Sequence, residues 1–151
     1  MPLKRHTGLQ PLSREHHHSL LLCWKIRTGL KNGISPKRIK KYVDWFFAKH
    51  ILPHFEIEEL FVFSLLDADD IYVKKALSQH RKLNRLCRTS VDLEKNLSLI
   101  EEVLEQHIRF EERVLFPIIQ TKLSDDQLKS IEKAHHDSNF VDNLTDPFWE
   151  K

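Results

Sequence analysis

The sequence predicts an all-α protein, an antiparallel four-helix bundle in up-down-up-down order with a short additional helix near the C-terminal end. Apolar residues recur every three or four positions along four long stretches, which is the period of helices with one buried face. Helix breakers are few, since the 151 residues include only 3 Gly and 6 Pro. Short connections between long amphipathic helices favour antiparallel neighbours. We expect a single domain over 1–151, with the bundle at about 12–121 and the short helix and tail at 124–151.

The first helix is predicted to start at Ser13 and to run to about Leu30. Serine is a favourable N-cap, and Gly33 follows the last apolar position, where glycine commonly terminates a helix. The spacing predicts an inward face of Leu12, His16, Leu20, Cys23, Arg27 and Leu30.

The second helix is predicted to open at Ser35-Pro36, with Ser as the N-cap and Pro at the first helical position. Pro53 lies inside this helix and should bend it, because proline removes a backbone hydrogen bond. Its expected inward face carries Ile39, Val43, Phe46 or Phe47, His50, His54, Glu58, Phe61 and Leu65.

The remaining helices follow short polar turns. The acidic turn at 67–70 should cap a third helix from about Ile71 to Arg88, with His80 on its inward face. The fourth helix should begin at Thr89, Ser90 or Asp92, and its inward face should carry Leu104, His107, Glu111, Val114 or Leu115, and Ile118. Ser124 should cap the short helix, which is expected to end near His136.

Composition excludes several classes of function. A formal charge of +2 is too small to indicate nucleic-acid binding, and no apolar run approaches the roughly 20 residues that span a bilayer. The first residues lack the apolar segment of a signal peptide. Two cysteines are too few for a disulfide framework, so we expect reduced thiols and a cytoplasmic protein.

A repeated motif dominates the sequence. His54 and Glu58 lie four residues apart, as do His107 and Glu111, and an apolar segment follows each pair. Positions i and i+4 lie on one face of a helix, so each motif directs an imidazole and a carboxylate to one point. Two such motifs facing each other in a bundle would bring two of each group together.

Each of the four long helices therefore carries at least one histidine on its predicted apolar face. A single such histidine is more often a hydrogen-bonded core residue than a ligand, but four, with two glutamates, favour a metal site. Buried carboxylates cost several kcal/mol each unless they are neutralised. A mixture of imidazoles and carboxylates suits iron, manganese or zinc. The candidate ligands are His16, His54, Glu58, His80, His107 and Glu111.

This ordered set of motifs resembles the hemerythrin-like domains, also called HHE cation-binding domains. The matching segments are Arg14-Glu15-His16, His54 with Glu58, His80 within 79–83, and His107 with Glu111 ahead of Leu115-Phe116-Pro117. The resemblance covers about 12–120. It implies two non-haem iron ions inside the bundle, bridged by the two glutamates and capped by the histidines, with zinc or manganese as substitutes.

The chain departs from the oxygen-carrying hemerythrins of invertebrates in two ways. Those proteins place two histidines four residues apart on the third helix, whereas here Ala76 precedes His80 and Asn84 follows it. They also use a His and an Asp five apart on the fourth helix. With one histidine fewer, simple reversible oxygen transport is in doubt. We expect instead that the protein senses or binds oxygen or nitric oxide, reacts with peroxide, or handles iron and redox stress.

Several alternatives remain at this stage. His17 could replace His16 after a one-residue shift of the helix, and His50 could add a ligand, although a partly exposed position is favoured for it. A ferritin-like metal site would use Glu15 with His18 and Glu132 with His135, whose spacing fits. His135 and His136 are otherwise expected at the surface. A metal-free helical interaction domain is the third reading. We expect a metal- or oxygen-binding protein rather than an enzyme; the sequence does not indicate an oligomeric state.

Overall fold

The computed structural model describes residues 4–135 and 140–150, and helices make up most of this part of the chain. The first helix, α1, spans Gln10–Lys31, and the third, α3, spans Ile71–Arg88. The second and fourth, α2 and α4, are continuous helical paths over 36–65 and 93–122. A short helix, α5, spans Asp125–Ala134. The described residues contain no strand, so the predicted all-α bundle is confirmed.

Helix α4 is the centre of the packing. It contacts α1 along much of its length and also packs against α2 and α3, while α1 contacts α2 as well. The connections between successive long helices are short, at 32–35, 66–70 and 89–92. No helix in the described ranges is both long enough and apolar enough to cross a bilayer.

Helices α2 and α4 change their winding along their length. In α2, the α-helical segments Pro36–Phe46 and Leu52–Ile57 alternate with π-helical turns at Phe47–Ile51 and Glu58–Val62, and a 3₁₀ turn closes the helix at Phe63–Leu65. In α4, a π-helical turn at Glu111–Leu115 joins Leu93–Phe110 to Phe116–Lys122. Pro53 and Pro117 each lie near the start of the α-helical segment that follows a π-turn, where a missing N–H disturbs the ladder least.

The π-turns explain where the predicted inward faces were wrong. Phe61 was expected inside but is exposed, while Val62 is fully buried. In α4, Leu115, one of the two expected alternatives, is buried while Val114 is exposed, and Ile119 lies in the core in place of the expected Ile118. A π-turn inserts one extra residue into the helix, so every later position moves by one residue relative to a regular 3.6-residue period.

Helix boundaries agree with the sequence where a side chain caps the helix. Asp70 accepts hydrogen bonds from the backbone of Tyr72 and Val73 at the start of α3. Ser124 and Gln127 form a reciprocal capping box at the start of α5. The prediction for Ser13 was wrong, because α1 begins three residues earlier and carries Pro11 in its first turn, which proline favours. The predicted end of α5 at His136 lies outside the described residues.

Two apolar clusters fill the bundle. One lies in the half that contains Leu22, Phe46 and Leu97, and the other contains Leu12, Val62 and Phe116. Arg27, expected inside, is exposed and pairs with Glu101 on α4. Both cysteines are free, and burial raises the pKa of Cys23 to about 12. A layer of polar side chains separates the two clusters.

Segment 140–150 packs back onto α1 and α2. Phe148 is buried against Gly29 and Ile39, at a distance that leaves no room for a side chain on Gly29. Lys25 was not among the residues expected to face inward, but it is buried. Its ammonium group donates to Tyr42 and Asp142 and lies 3.9 Å from the centroid of the Trp149 ring. A buried charge requires such partners, and this one ties the segment to the bundle.

Candidate metal centre

The polar layer between the two apolar clusters contains all six predicted ligands. They come from α1, α2, α3 and α4, and each is at most 6% exposed. The residues are His16, His54, Glu58, His80, His107 and Glu111. Their helices bring them together because each lies one turn from the apolar residues of both clusters.

The six side chains form two overlapping groups that share both glutamates. One group, named here the His16–His54 group, contains those two histidines, and the His80–His107 group contains the other two. Within each group, one ligand atom from every residue lies within 4.8 Å of the others. The His16 Nε2 atom lies 2.9 Å from Glu111 Oε1, and the His80 Nε2 atom lies 3.1 Å from Glu58 Oε1.

Both glutamates occupy equivalent positions on their helices. Glu58 is the first residue of the π-turn in α2, and Glu111 is the first residue of the π-turn in α4. Such turns occur frequently at functional sites, where the wider winding re-aims side chains. The repeat in sequence is therefore also a repeat in backbone structure, and it presents the two carboxylates to each other across the core.

A ring of hydrogen bonds orients the four histidines, and each Nδ1 atom contacts an acceptor from another helix. The four contacts follow the order of the helices around the bundle. Each of α1, α2 and α3 supplies the acceptor for the histidine of the next helix, and α4 supplies the acceptor for the histidine of α1. The contacts are His54–Glu15 at 2.7 Å, His80–Glu59 at 2.8 Å, His107–Gln79 at 2.6 Å and His16–Glu112 at 2.7 Å.

These outer contacts determine which nitrogen faces the centre of the bundle. A carboxylate oxygen or an amide oxygen can only accept, so each Nδ1 must donate its proton outward. Each Nε2 then faces the shared glutamates and is available as a ligand. Histidines that bind metals in proteins generally make such an outward hydrogen bond, which fixes the ring and raises its basicity.

Several inward-facing atoms make no well-aligned hydrogen bond within the described part of the chain, although His80 Nε2 and Glu58 Oε1 are only 3.1 Å apart. These are both carboxylate oxygens of Glu58, one oxygen of Glu111, and the Nε2 atoms of His80 and His107. An unsatisfied buried polar atom costs roughly 1–3 kcal/mol, more when it is charged. The five atoms belong to residues of the two overlapping groups, and bound cations would satisfy them together. The donor set of imidazole and carboxylate fits iron, zinc or manganese.

Electrostatics in the layer indicates that it holds protons when no cation is bound. Burial and the neighbouring Glu111 raise the pKa of Glu58 well above its usual value. Burial would lower the pKa of His80, but Glu58 and Glu59 outweigh it and raise that pKa to about 9. The pKa of His16 is also raised despite burial, by Glu111 and Glu112. A metal ion must displace these protons.

The additional candidates lie outside the two groups. His17 is exposed, so the structure turns His16 rather than His17 into the core. His50 is half-buried and contacts Trp45, Phe46 and Phe140. It lines a cavity of about 30 Å³ together with Glu15, His18 and Phe140.

The ferritin-like spacing does not assemble a metal group among the described residues. His18 stacks on Phe140, and Glu132 accepts from Thr7 at the surface. Glu15 instead accepts from His54 and, through its other oxygen, from His135 at 2.9 Å. His135 was expected at the surface, yet only 16% of its side chain is exposed. His136 lies outside the described residues.

The four Nδ1 acceptors were not identified from the sequence. Each is the immediate chain neighbour of a predicted ligand, since Glu15 precedes His16, Gln79 precedes His80, Glu59 follows Glu58 and Glu112 follows Glu111. Adjacent helical residues diverge by about 100°, so the neighbour of an inward residue faces the adjoining helix. The sequence does place a polar residue beside His16, Glu58, His80 and Glu111, but this pattern alone does not separate an acceptor from an ordinary solvent-facing residue.

Comparison with known proteins agrees with this geometry. The sequence profile of the hemerythrin HHE cation-binding domain matches residues 7–119 and so includes all six candidate ligands. No curated protein and no solved structure gave a significant match. The match covers most of the chain, and the His and Glu groups within it are candidate cation ligands. The chain belongs to the hemerythrin HHE cation-binding domain family.

Proposed function

We propose that this protein is a non-haem iron protein of hemerythrin type, which holds two iron ions between His16, His54, His80, His107 and the shared Glu58 and Glu111. The observation that carries the proposal is that five buried polar atoms of the two groups make no well-aligned hydrogen bond, while all four imidazoles are oriented from outside. Zinc or manganese could occupy the same donor set in place of iron.

The donor set leaves room for a small ligand. Four Nε2 atoms and four carboxylate oxygens are about eight donors, whereas two six-coordinate ions require roughly twelve. When bound, iron would supply open coordination positions and redox chemistry for oxygen, nitric oxide or peroxide. We infer that the protein binds or senses such a molecule, or handles iron under redox stress, rather than acting as an enzyme on an organic substrate.

The protein's own residues would control access and orientation. Phe55 stacks on His80 with ring centroids 3.7 Å apart, and Phe116 stacks on His16 at 5.4 Å. These apolar rings shield the polar layer from water, so its polar atoms have only one another as neighbours. The buried Cys23 thiol, with its raised pKa, is unreactive and suits a reducing compartment such as the cytoplasm.

Anaerobic mixing experiments test this function. Protein loaded with ferrous iron should change its near-ultraviolet and visible absorption when oxygen, nitric oxide or peroxide is added. Because the third helix has one histidine fewer than in the oxygen carriers, we expect that the oxygen-induced change does not reverse when oxygen is removed. A double variant, His54→Ala with His107→Ala, is the control and should remain silent.

The outcomes separate the alternatives. A reversible spectral change would restore an oxygen-carrier function. An iron-loaded protein whose spectrum is insensitive to all three molecules would overturn the sensing proposal and favour iron handling. A protein that takes up no metal would instead support the metal-free interaction domain.

A further inference from the structure

The ring of Nδ1 acceptors is chemically uneven. Three of the four histidines donate to carboxylates, namely Glu15, Glu59 and Glu112, whereas His107 donates to the neutral amide oxygen of Gln79. The distances differ by no more than 0.2 Å, so the geometry is conserved around the ring and only the charge of the acceptor changes.

The type of acceptor affects how strongly a histidine binds a metal ion. A carboxylate that accepts from Nδ1 gives the imidazole more negative character and makes Nε2 a better donor. A hydrogen bond to a charged acceptor is roughly twice as strong as one between neutral groups. We therefore infer that His107 is the weakest imidazole donor of the four, although its Nδ1 contact, at 2.6 Å, is as short as the others.

The weak donor lies in only one of the two groups. In the His16–His54 group, both imidazoles are backed by carboxylates, Glu112 and Glu15. In the His80–His107 group, Glu59 backs one imidazole and Gln79 the other. Arg5 shares Glu112, and His135 shares Glu15, but each contacts the oxygen that the core histidine leaves free. The Glu15 oxygen that accepts from His54 is therefore separate from the one that contacts His135, whereas the Glu112 oxygen that accepts from His16 also accepts from the Ser13 hydroxyl.

We propose that Gln79 makes the two metal positions unequal, so that the first ion binds in the His16–His54 group and the second, more weakly, in the His80–His107 group. This inference rests on the proposed two-metal function. It assigns Gln79 as a positioning residue that keeps one ion readily exchangeable, which is the property that an iron-sensing or iron-releasing site requires. An isosteric change of one atom, from amide to carboxylate, should remove the difference.

A cobalt(II) titration of the metal-free protein, followed by calorimetry and visible absorption, tests the proposal. The wild-type protein should bind two ions in two steps whose dissociation constants differ by about tenfold or more. Gln79→Glu should tighten the weaker step by about tenfold and change only the spectrum that develops in that step, since changes of such outer partners alter metal affinity 10–100-fold. Gln79→Leu should weaken the same step.

Two further variants identify the positions. Glu15→Gln, the matched exchange on the other group, should weaken the stronger step by about tenfold and leave the weaker one in place. His107→Ala should abolish the weaker step. The affinity of the weaker step should therefore increase in the order Leu, Gln, Glu at position 79. A residue with only a structural role would not produce this graded response.

Failure of this inference can be distinguished from failure of the proposed function. A wild-type protein that binds no cobalt would remove the metal function itself. Two ions bound with one common affinity, and an unchanged titration for Gln79→Glu, would leave that function standing and overturn the role of Gln79. A substitution of Gln79 that altered the affinity of the stronger step would also overturn this role. Such a result would show that Gln79 does not act on the weaker position.

Discussion

At the scale of single residues, the site depends on protons as well as on ligands. The raised pKa of His80, at about 9, means that this imidazole carries a second proton at neutral pH when no cation is present. Glu58, whose pKa is raised by burial and by Glu111, also retains its proton more readily than an exposed glutamate. These groups interact closely, so their protons are shared within the layer.

We predict that metal binding near pH 7 releases at least one proton per chain. Below its raised pKa of about 9, His80 carries a proton that a metal ion must displace. The apparent affinity for metal should therefore rise as the pH increases toward 9. Calorimetry of zinc binding in buffers with different ionisation enthalpies measures the release. An affinity that falls between pH 7 and 9 would contradict the assignment.

The same residue scale shows what the sequence could and could not reveal. The six candidate ligands could be placed in the core because periodicity predicts His and Glu on the apolar faces. The acceptors Glu15, Glu59, Gln79 and Glu112 could not, because a polar residue next to an inward position is indistinguishable from an ordinary solvent-facing one without knowledge of the neighbouring helix. Which helix accepts from which histidine depends on packing rather than on any one segment.

At the scale of elements, the sequence predicted the long helices but not their winding. The π-turns at Glu58–Val62 and Glu111–Leu115 moved the buried positions by one residue, which a regular period cannot anticipate. Caps were predictable where a side chain accepts from the backbone, as at Asp70 and Ser124. The start of α2 was also predicted correctly at Ser35-Pro36, although the Ser35 side chain makes no cap hydrogen bond, whereas the start of α1 was not, because the apolar Leu9 is its N-cap.

The segment 140–150 is an element that the helix pattern could not place. We predict that Phe148→Ala lowers the free energy of unfolding by about 3–5 kcal/mol, as expected for a buried phenylalanine. Gly29→Ala should cost roughly 1–3 kcal/mol, because the added methyl group would lie 2.8 Å from the Phe148 ring. Urea denaturation measures both values.

A double-mutant cycle makes this prediction specific. Phe148→Ala removes the atoms that the new methyl group would strike, so the double variant should lose less stability than the sum of the two single changes. Gly33→Ala is the matched control, since its strain arises from a φ of +71° with nothing nearby. Its effect should add to that of Phe148→Ala. Additivity for Gly29 would show that the segment does not pack as described.

At the scale of the whole molecule, the bundle comprises two apolar clusters and a polar layer with unsatisfied atoms between them. The apolar clusters should fold the chain without metal, while a bound ion adds stability by mass action, about 4 kcal/mol at a thousandfold excess over the dissociation constant. For a chain of this size, that corresponds to a shift of roughly 10 °C in Tm.

We therefore predict that a chelator lowers the Tm of the metal-loaded protein by about this amount, while the metal-free protein still unfolds cooperatively. Scanning calorimetry with and without the chelator provides the measurement. The variant with His54→Ala and His107→Ala should show no response to the chelator. Equal melting of the loaded and metal-free wild-type protein would mean that the layer binds no ion in the folded state.

The central claim is that six buried side chains from four helices hold two metal ions. Elemental analysis of protein expressed with sufficient iron measures the metal-to-protein ratio directly. We predict two iron ions per chain, at most one after His107→Ala, and an unchanged two after His17→Ala, since His17 is exposed and lies outside both groups. A wild-type ratio near zero, or a ratio that His54→Ala together with His107→Ala leaves unaltered, would contradict the account.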